Sequence, residues 1–116
     1  MPGALLERAI SVMAARARLY ERMAHDPGPW GAIVHAAGQP GAVYFTELSY
    51  PMTLDRHVCG DRIVLTGYMP VTCPDVRTVD IWCRGDMLVS WPVSPPTGGP
   101  VRISFDIGIE AAEQAA

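Results

Sequence analysis

Four side chains that can bind zinc lie between residues 57 and 83: His57, Cys59, Cys73 and Cys83. Structural zinc sites usually take their thiolates from short Cys-x2-Cys knuckles, whose backbone amides orient the sulfur atoms. Here only His57 and Cys59 are close neighbours, and Cys83 falls on the apolar face of a predicted strand. The spacing favours buried, reduced thiols and a loop histidine, so we predict no metal and no cofactor.

Nucleophilic catalysis would need a serine or cysteine beside a base. Cys59 or Ser90 could pair with His35 or His57, but no Gly-x-Ser-x-Gly elbow and no protease cysteine signature surrounds them. A small hydrolase or zinc protein that uses His57, Cys59 and Cys83 is therefore the third of our three hypotheses. We predict no catalytic residues and a protein that is not an enzyme.

Aspartates are frequent from residue 55 onward, and most adjoin turns, where a carboxylate caps local amides. Those between residues 55 and 86 are Asp55, Asp61, Asp75, Asp80 and Asp86. No window has the Asp-x-Asp-x-Asp-Gly spacing of a calcium loop, and residues 97–100 lack the lysine and following helix of a phosphate loop. The Arg-Gly-Asp tripeptide at residues 84–86 is explained by a hairpin turn between two strands, so we reject an adhesive interpretation.

A predicted helix precedes the strands that carry these side chains. Residues 4–24 contain no glycine or proline and carry an apolar stripe at helical spacing, which predicts an amphipathic helix. The prolines at positions 27 and 29 end it because they cannot continue a helix. The stripe comprises Leu6, Ile10, Met13, Ala17, Tyr20 and Ala24.

From Trp30 onward the apolar period changes to two, which is typical of strands. We predict strands at residues 31–35, 42–50, 62–69, 78–83, 87–93 and 101–109, with Pro51 ending the second or marking an edge. The core faces would carry Val79, Ile81 and Cys83; Met87, Val89 and Trp91; and Val101, Ile103, Phe105, Ile107 and Ile109.

No helix separates the predicted strands, so we expect a mainly β fold. It would be an antiparallel β-sandwich or barrel of about six to eight strands, preceded by one N-terminal amphipathic helix. The chain forms a single domain over residues 1–116, with the helix at 4–24, the β-sandwich at 30–110 and a tail at 111–116. Its 116 residues, 49% of them hydrophobic, are enough for one core.

The net charge of the chain and the lengths of its apolar stretches limit the classes of partner that it can bind. A net charge of −3 opposes nucleic-acid binding, which needs a basic face, and no apolar stretch is long enough to cross a bilayer. The N-terminus lacks the basic leader and apolar block of a secretory signal, which predicts synthesis in the cytoplasm. All nine basic residues are arginine, and lysine and asparagine are absent. Because those two amino acids share codons that begin AA, the gene indicates a GC-rich host such as an actinobacterium or one of its phages.

The strand pattern of residues 58–110 resembles small β-sandwich structural proteins of tailed bacteriophages. Gly60-Asp61 opens a strand, Val79-Asp-Ile-Trp82 leads to a hairpin begun by Gly85, and a strand of alternating aliphatic residues ends the domain. The helix is not part of this pattern. The resemblance implies a virion location as a tail, head–tail connector or capsid-surface component. It also implies partners that are other copies of the chain and other virion proteins, in symmetric homo-oligomers.

The surfaces agree with such an assembly. The apolar helix face is wider than one end of a sheet needs, which indicates an interface. Our interface candidates are Leu6, Ile10, Met13, Tyr20, Arg16, Arg18 and Trp82. The alternative is a small ligand-binding module in which Trp82, Trp30 or Tyr50 stacks on a sugar or peptide.

Overall fold

The computed structural model describes residues 2–37, 48–70, 72, 75–94 and 97–115, with side chains from residue 13 onward except at 112, 114 and 115. Its elements are α1 (Pro2–His25), β1 (Trp30–Ala36), β2 (Leu48–Cys59), β3 (Arg62–Met69), β4 (Val76–Cys83), β5 (Asp86–Pro92), β6 (Val101–Gly108) and α2 (Ile109–Ala115). The strands are antiparallel in the order β5-β4-β1-β2-β3-β6 and curl into a half barrel. The predicted mainly β fold class is confirmed.

The long strand β2 joins the two halves of the curled sheet. It pairs with β1 through residues 48–54 and with β3 through residues 55–59. Gly67 of β3 lies where β2 changes partner. A Cβ at this position would clash with the Leu54 side chain and approach the Thr53 carbonyl oxygen to 3.3 Å. Glycine therefore lets the two halves of the sheet approach each other closely.

Of the two alternatives predicted for Pro51, the end of the second strand is wrong, whereas the edge position agrees with the pairing of β2. Residues 42–47 lie outside the described residues, but β2 runs without a break from Leu48 to Cys59. Pro51 pairs with Ile33 of β1, and the ladder with β3 begins only at Asp55. Proline is tolerated there because no pairing with β3 at this position requires its missing N–H.

Helix α1 packs onto the inner face of the sheet. Leu19 and Met23 are fully buried in the core, with Tyr20 partly buried beside them, whereas Met13 is 69% exposed. The buried face therefore differs in phase from the predicted stripe through Met13 and Ala17. Apolar residues occupy several faces of this helix, so periodicity alone did not select the face that packs.

The predicted core faces of β4 and β6 are buried or half-buried as expected, but β5 differs. Trp82 pairs with Met87, while the preceding Ile81 pairs with Val89, so Leu88 is the extra residue of a β-bulge. Both Leu88 and Val89 are buried, and Met87 is exposed. The prediction that Met87 shares the core face of Val89 is therefore wrong, because the bulge reverses the alternation.

The predicted hairpin turn at residues 84–86 is confirmed, and a second tight turn precedes β3. Residues 60–61 join β2 to β3, and residues 84–85 join β4 to β5. Arg84 and Gly85 both have positive φ, 50° and 85°, as a two-residue hairpin turn prefers. Ile109 begins α2 instead of ending the last strand. Neither described helix is both long enough and apolar enough to cross a lipid bilayer.

Candidate functional site

The edge strands β5 and β6 face each other across an opening in the half barrel. Among the described residues, no backbone hydrogen bond joins β6 to any strand other than β3. The opening, which we call the seam cleft, has a volume of about 680 Å³. All residues of β6 from Val101 to Ile107 line it. Since successive residues of a strand point to opposite faces, a wall of consecutive residues is formed by the backbone edge itself.

Side chains of β5, β6 and α1 contact one another at the seam cleft. Trp91 of β5 and Phe105 of β6 make an edge-to-face contact, with ring centroids 5.5 Å apart and planes inclined by 73°. The guanidinium carbon of Arg16 on α1 lies 4.6 Å from the centre of the Trp91 ring. Tyr20 lines the same cleft. The helix therefore forms part of the cleft wall.

An ionic cluster around Asp26 fixes the end of α1 to the start of the sheet. The carboxylate lies 2.8 Å from Nε of Arg84 and 3.2 Å from Nε of Arg22, and it accepts a hydrogen bond of 3.0 Å from the Gly28 N–H. The hydrogen bond from the Gly28 N–H contributes most to lowering the pKa of the Asp26 carboxyl group, and both guanidinium groups add to this effect. Together they outweigh burial, which acts in the opposite direction. Arg84 belongs to the Arg-Gly-Asp tripeptide in the turn between β4 and β5, and its guanidinium group contacts Asp26 of the same chain.

Acid should weaken this cluster. Because the pKa of Asp26 is lower in the folded chain than in the unfolded one, its stabilisation is complete above the ordinary carboxyl pKa of about 3.9 and is lost as the pH falls through the folded value. We expect Asp26→Asn to be less stable than wild type at neutral pH, and the difference to shrink below about pH 4. Urea denaturation across this range measures it, with the exposed Asp55→Asn as control. A difference that stays constant into acid would contradict the prediction.

A second constellation lies on the outer face of the sheet. Nε2 of His35 is 2.7 Å from Oδ2 of Asp80, and its Nδ1 is 3.2 Å from Oγ of Ser49. His35 thus pairs with Asp80 and Ser49, and not with Cys59 or Ser90 as the sequence had suggested. Ser49 is the direct cross-strand neighbour of His35 on β2, and Asp80 lies on β4, the other strand that pairs with β1. The three side chains are best explained as a cross-strand polar contact.

The predicted zinc ligands are separated. His57 and Cys59 are exposed on β2, whereas Cys83 faces the core from β4. Burial raises the pKa of the Cys83 thiol, which therefore stays protonated at neutral pH. Cys73 lies outside the described residues. Within the part of the chain that the structure describes, no three His, Cys, Asp or Glu side chains group as a metal site requires.

The predicted interface residues fall at several places. They are Arg16 and Tyr20 in the wall of the seam cleft, Met13 and Arg18 exposed on α1, Trp82 on the outer face of β4, and Leu6 and Ile10 in the part of α1 whose side chains are not described. Sequence reasoning missed the seam contact of Trp91 with Phe105. It placed both residues on core faces, but no sequence signal showed that their strands meet.

The tryptophans differ in their availability to a ligand. Trp82 lies on the outer face, as its alternation predicted, opposite the exposed Met87. Its Nε1 is buried and has no hydrogen-bond partner among the described residues. Trp30 is only 3% exposed and donates from Nε1 to the Asp26 carbonyl oxygen at 2.9 Å. The alternative in which Trp30 stacks on a ligand is therefore wrong. Tyr50 is partly buried and packs against the core.

The chain matches no protein-family model, no curated protein and no solved structure. The described part of the chain offers three features for binding: the seam cleft, the edge of β6 that no other described strand pairs with, and the exposed apolar side chains.

Proposed function

We propose that this chain is a non-enzymatic structural protein of a tailed-phage particle, present in several copies in the tail, head–tail connector or capsid surface. The edge of β6 along the seam cleft, which no other described strand pairs with, carries the proposal. An open strand edge presents N–H and C=O groups with which another polypeptide can pair. The strand pattern of residues 58–110, which resembles tailed-phage structural proteins, includes both edge strands of the seam.

Exposed apolar side chains support an assembled state. Among the residues whose side chains are described, the most exposed large hydrophobic ones are Met13, Val58, Tyr68 and Met87, which lie on α1, β2, β3 and β5. Single exposed apolar residues are common on soluble proteins. Met87, however, lies opposite Trp82, and Tyr68 lies opposite Arg102 on the strand next to the seam. Neighbouring subunits in a ring or trimer would bury such surfaces.

Mass spectrometry of gradient-purified phage particles tests this function. We expect peptides of the chain in a fixed, multiple-copy ratio to the major capsid protein. A lysate of uninfected host serves as the control. Purified particles that lack the chain would overturn the proposal.

The contribution of α1 to assembly can be tested by a partial deletion of the helix. Deleting residues 1–24 would remove Leu19 and Met23 from the core and unfold the chain. Deleting residues 2–12 leaves both in place. We expect this shorter deletion to keep the strand signal in circular dichroism while incorporation into particles falls. Unchanged incorporation would exclude the first half of α1 from the assembly contacts.

The seam cleft also supports the second candidate, a binding module for a short peptide or sugar. Trp91, Phe105, Tyr20 and Arg16 give it the aromatic and cationic lining that such ligands use. In that case Trp91→Ala abolishes binding on a peptide or glycan array while Trp82→Ala does not. An array on which wild-type protein binds nothing removes this candidate.

A further inference from the structure

The two edges of the half barrel are not equally suited to pairing. Strand β5 contains the bulge at Leu88 and ends at Pro92, and both features obstruct the addition of a strand. Strand β6 contains no proline and keeps an unbroken register with β3 over residues 101–108. Regular, unblunted edges are the ones that other strands join. β6 is therefore the edge suited to intermolecular pairing.

The sequence of β6 is complementary to itself when it is read in the opposite direction. Around Ser104 as centre, Arg102 on one side corresponds to Asp106 on the other. On the inner face, Ile103 corresponds to Phe105, and Val101 to Ile107. In an antiparallel pair, residues directly opposite each other point to the same face of the sheet. Two copies of β6 would thus match charge with opposite charge and apolar residue with apolar residue.

The charges on the outer face are available for this contact. Arg102 is exposed and lies with its guanidinium carbon 5.3 Å from the centre of the Tyr68 ring, and no described carboxylate is within ion-pair distance of it. Asp106 is 2.7 Å from Nε of Arg62, but both side chains are about half exposed. An exposed pair of this kind contributes little, so Asp106 can accept a second guanidinium group.

We propose that β6 is a homodimerisation edge, which pairs antiparallel with β6 of a second copy about a two-fold axis at Ser104. This inference rests on the proposed multi-copy function and specifies the contact that joins two copies. Each Arg102 then faces Asp106 of the other copy, and Tyr68 extends the outer surface beside this ion pair. The three strands β2, β3 and β6 of each copy join into one continuous sheet. Because the edge of β6 forms one wall of the seam cleft, the partner strand lies along this cleft.

Charge complementation tests the pairing. In an Arg102→Glu homodimer the introduced carboxylate faces Asp106 of the second copy, and in an Asp106→Arg homodimer the introduced guanidinium group faces Arg102. Both are like-charge contacts, so each variant alone should raise the dimer dissociation constant by roughly tenfold or more. An equimolar mixture of the two variants forms only opposite-charge pairs in the mixed dimer. We expect sedimentation velocity to show dimers for wild type and for the mixture, and monomers for each variant alone.

A matched pair of cysteine variants locates the axis. With Cys59 replaced by serine, Ser104→Cys should form a disulfide-linked dimer in air, because residues opposite each other in antiparallel strands lie about 4.5–5.5 Å apart at Cα. Ser90→Cys on the other edge strand, also exposed, is the control and should not form one. Circular dichroism confirms that each variant keeps its strand signal.

The outcomes separate this inference from the proposed function. A wild-type chain that stays monomeric, or oligomers that both charge variants leave unchanged, would overturn pairing through β6. Neither result alters the test on purified particles. Conversely, β6 dimers of a chain that is missing from particles would leave this inference standing and remove the virion function.

Discussion

Replacing Leu19 by alanine should lower the free energy of unfolding by about 2–5 kcal/mol. The side chain is fully buried between α1 and the inner face of the sheet, in the cluster that also contains Met23, Leu65 and Ile81. Truncation removes apolar contacts and leaves a cavity that the surrounding strands can fill only in part. Chemical denaturation followed by tryptophan fluorescence measures the loss.

The control for Leu19 lies on the same helix. Met13→Ala removes a side chain that is 69% exposed, so its effect should stay within about 0.5 kcal/mol. The comparison decides whether the helix is part of the monomer core. If both variants had equally small effects at a concentration where the chain is monomeric, α1 would not be packed against its own sheet.

Replacing Arg56 by methionine should have the second largest effect. The Arg56 side chain extends from β2 to the end of α1, where Nε donates to the Met23 carbonyl oxygen at 2.8 Å and Nη2 to that of Ala24 at 3.2 Å. The last carbonyls of a helix have no partner within it, and the negative end of the helix dipole favours a cation. Hydrogen bonds from a charged donor are worth about 1.5–3 kcal/mol, and we expect a loss in that range.

Arg62 supplies the control on the neighbouring strand. Its Nε is 2.7 Å from Asp106, but this ion pair is exposed, so Arg62→Met should cost at most about 1 kcal/mol. Denaturation at a concentration that keeps the chain monomeric separates the two variants. Equal losses would show that Arg56 acts only as another surface charge, and that α1 is held by its apolar face alone.

Arg56 also shows what the sequence pattern missed. The sequence pattern predicts no strand at residues 52–58, because the strand before them is expected to end, or to become an edge, at Pro51. In the structure Arg56 pairs with the fully buried Leu65 and so lies on the inner face. An arginine at an inward position breaks the expected alternation. The chain tolerates it because helix carbonyls are present to accept its hydrogen bonds.

The seam illustrates the same limit of local patterns. Alternation predicted the inner faces of β4 and β6, and Cys83 and Ile107 are buried as expected. The contact between Trp91 and Phe105 depends on how far the sheet curls, which in turn depends on the change of partner in β2 beside Gly67. These residues are far apart in the chain, and no single strand contains the information.

What the sequence by itself determined is the set of local elements: one helix ended by prolines, strands with a two-residue period, tight turns containing glycine, and hence a mainly β fold. Each follows from backbone preferences and from burial along one element. The tertiary structure alone decided the buried face of α1, the reversed phase of β5 after Leu88 and the continuation of β2 past Pro51. It also decided that β3 is the one described strand that pairs with β6. These features depend on pairing and packing between distant segments, for which periodicity within one segment contains no signal.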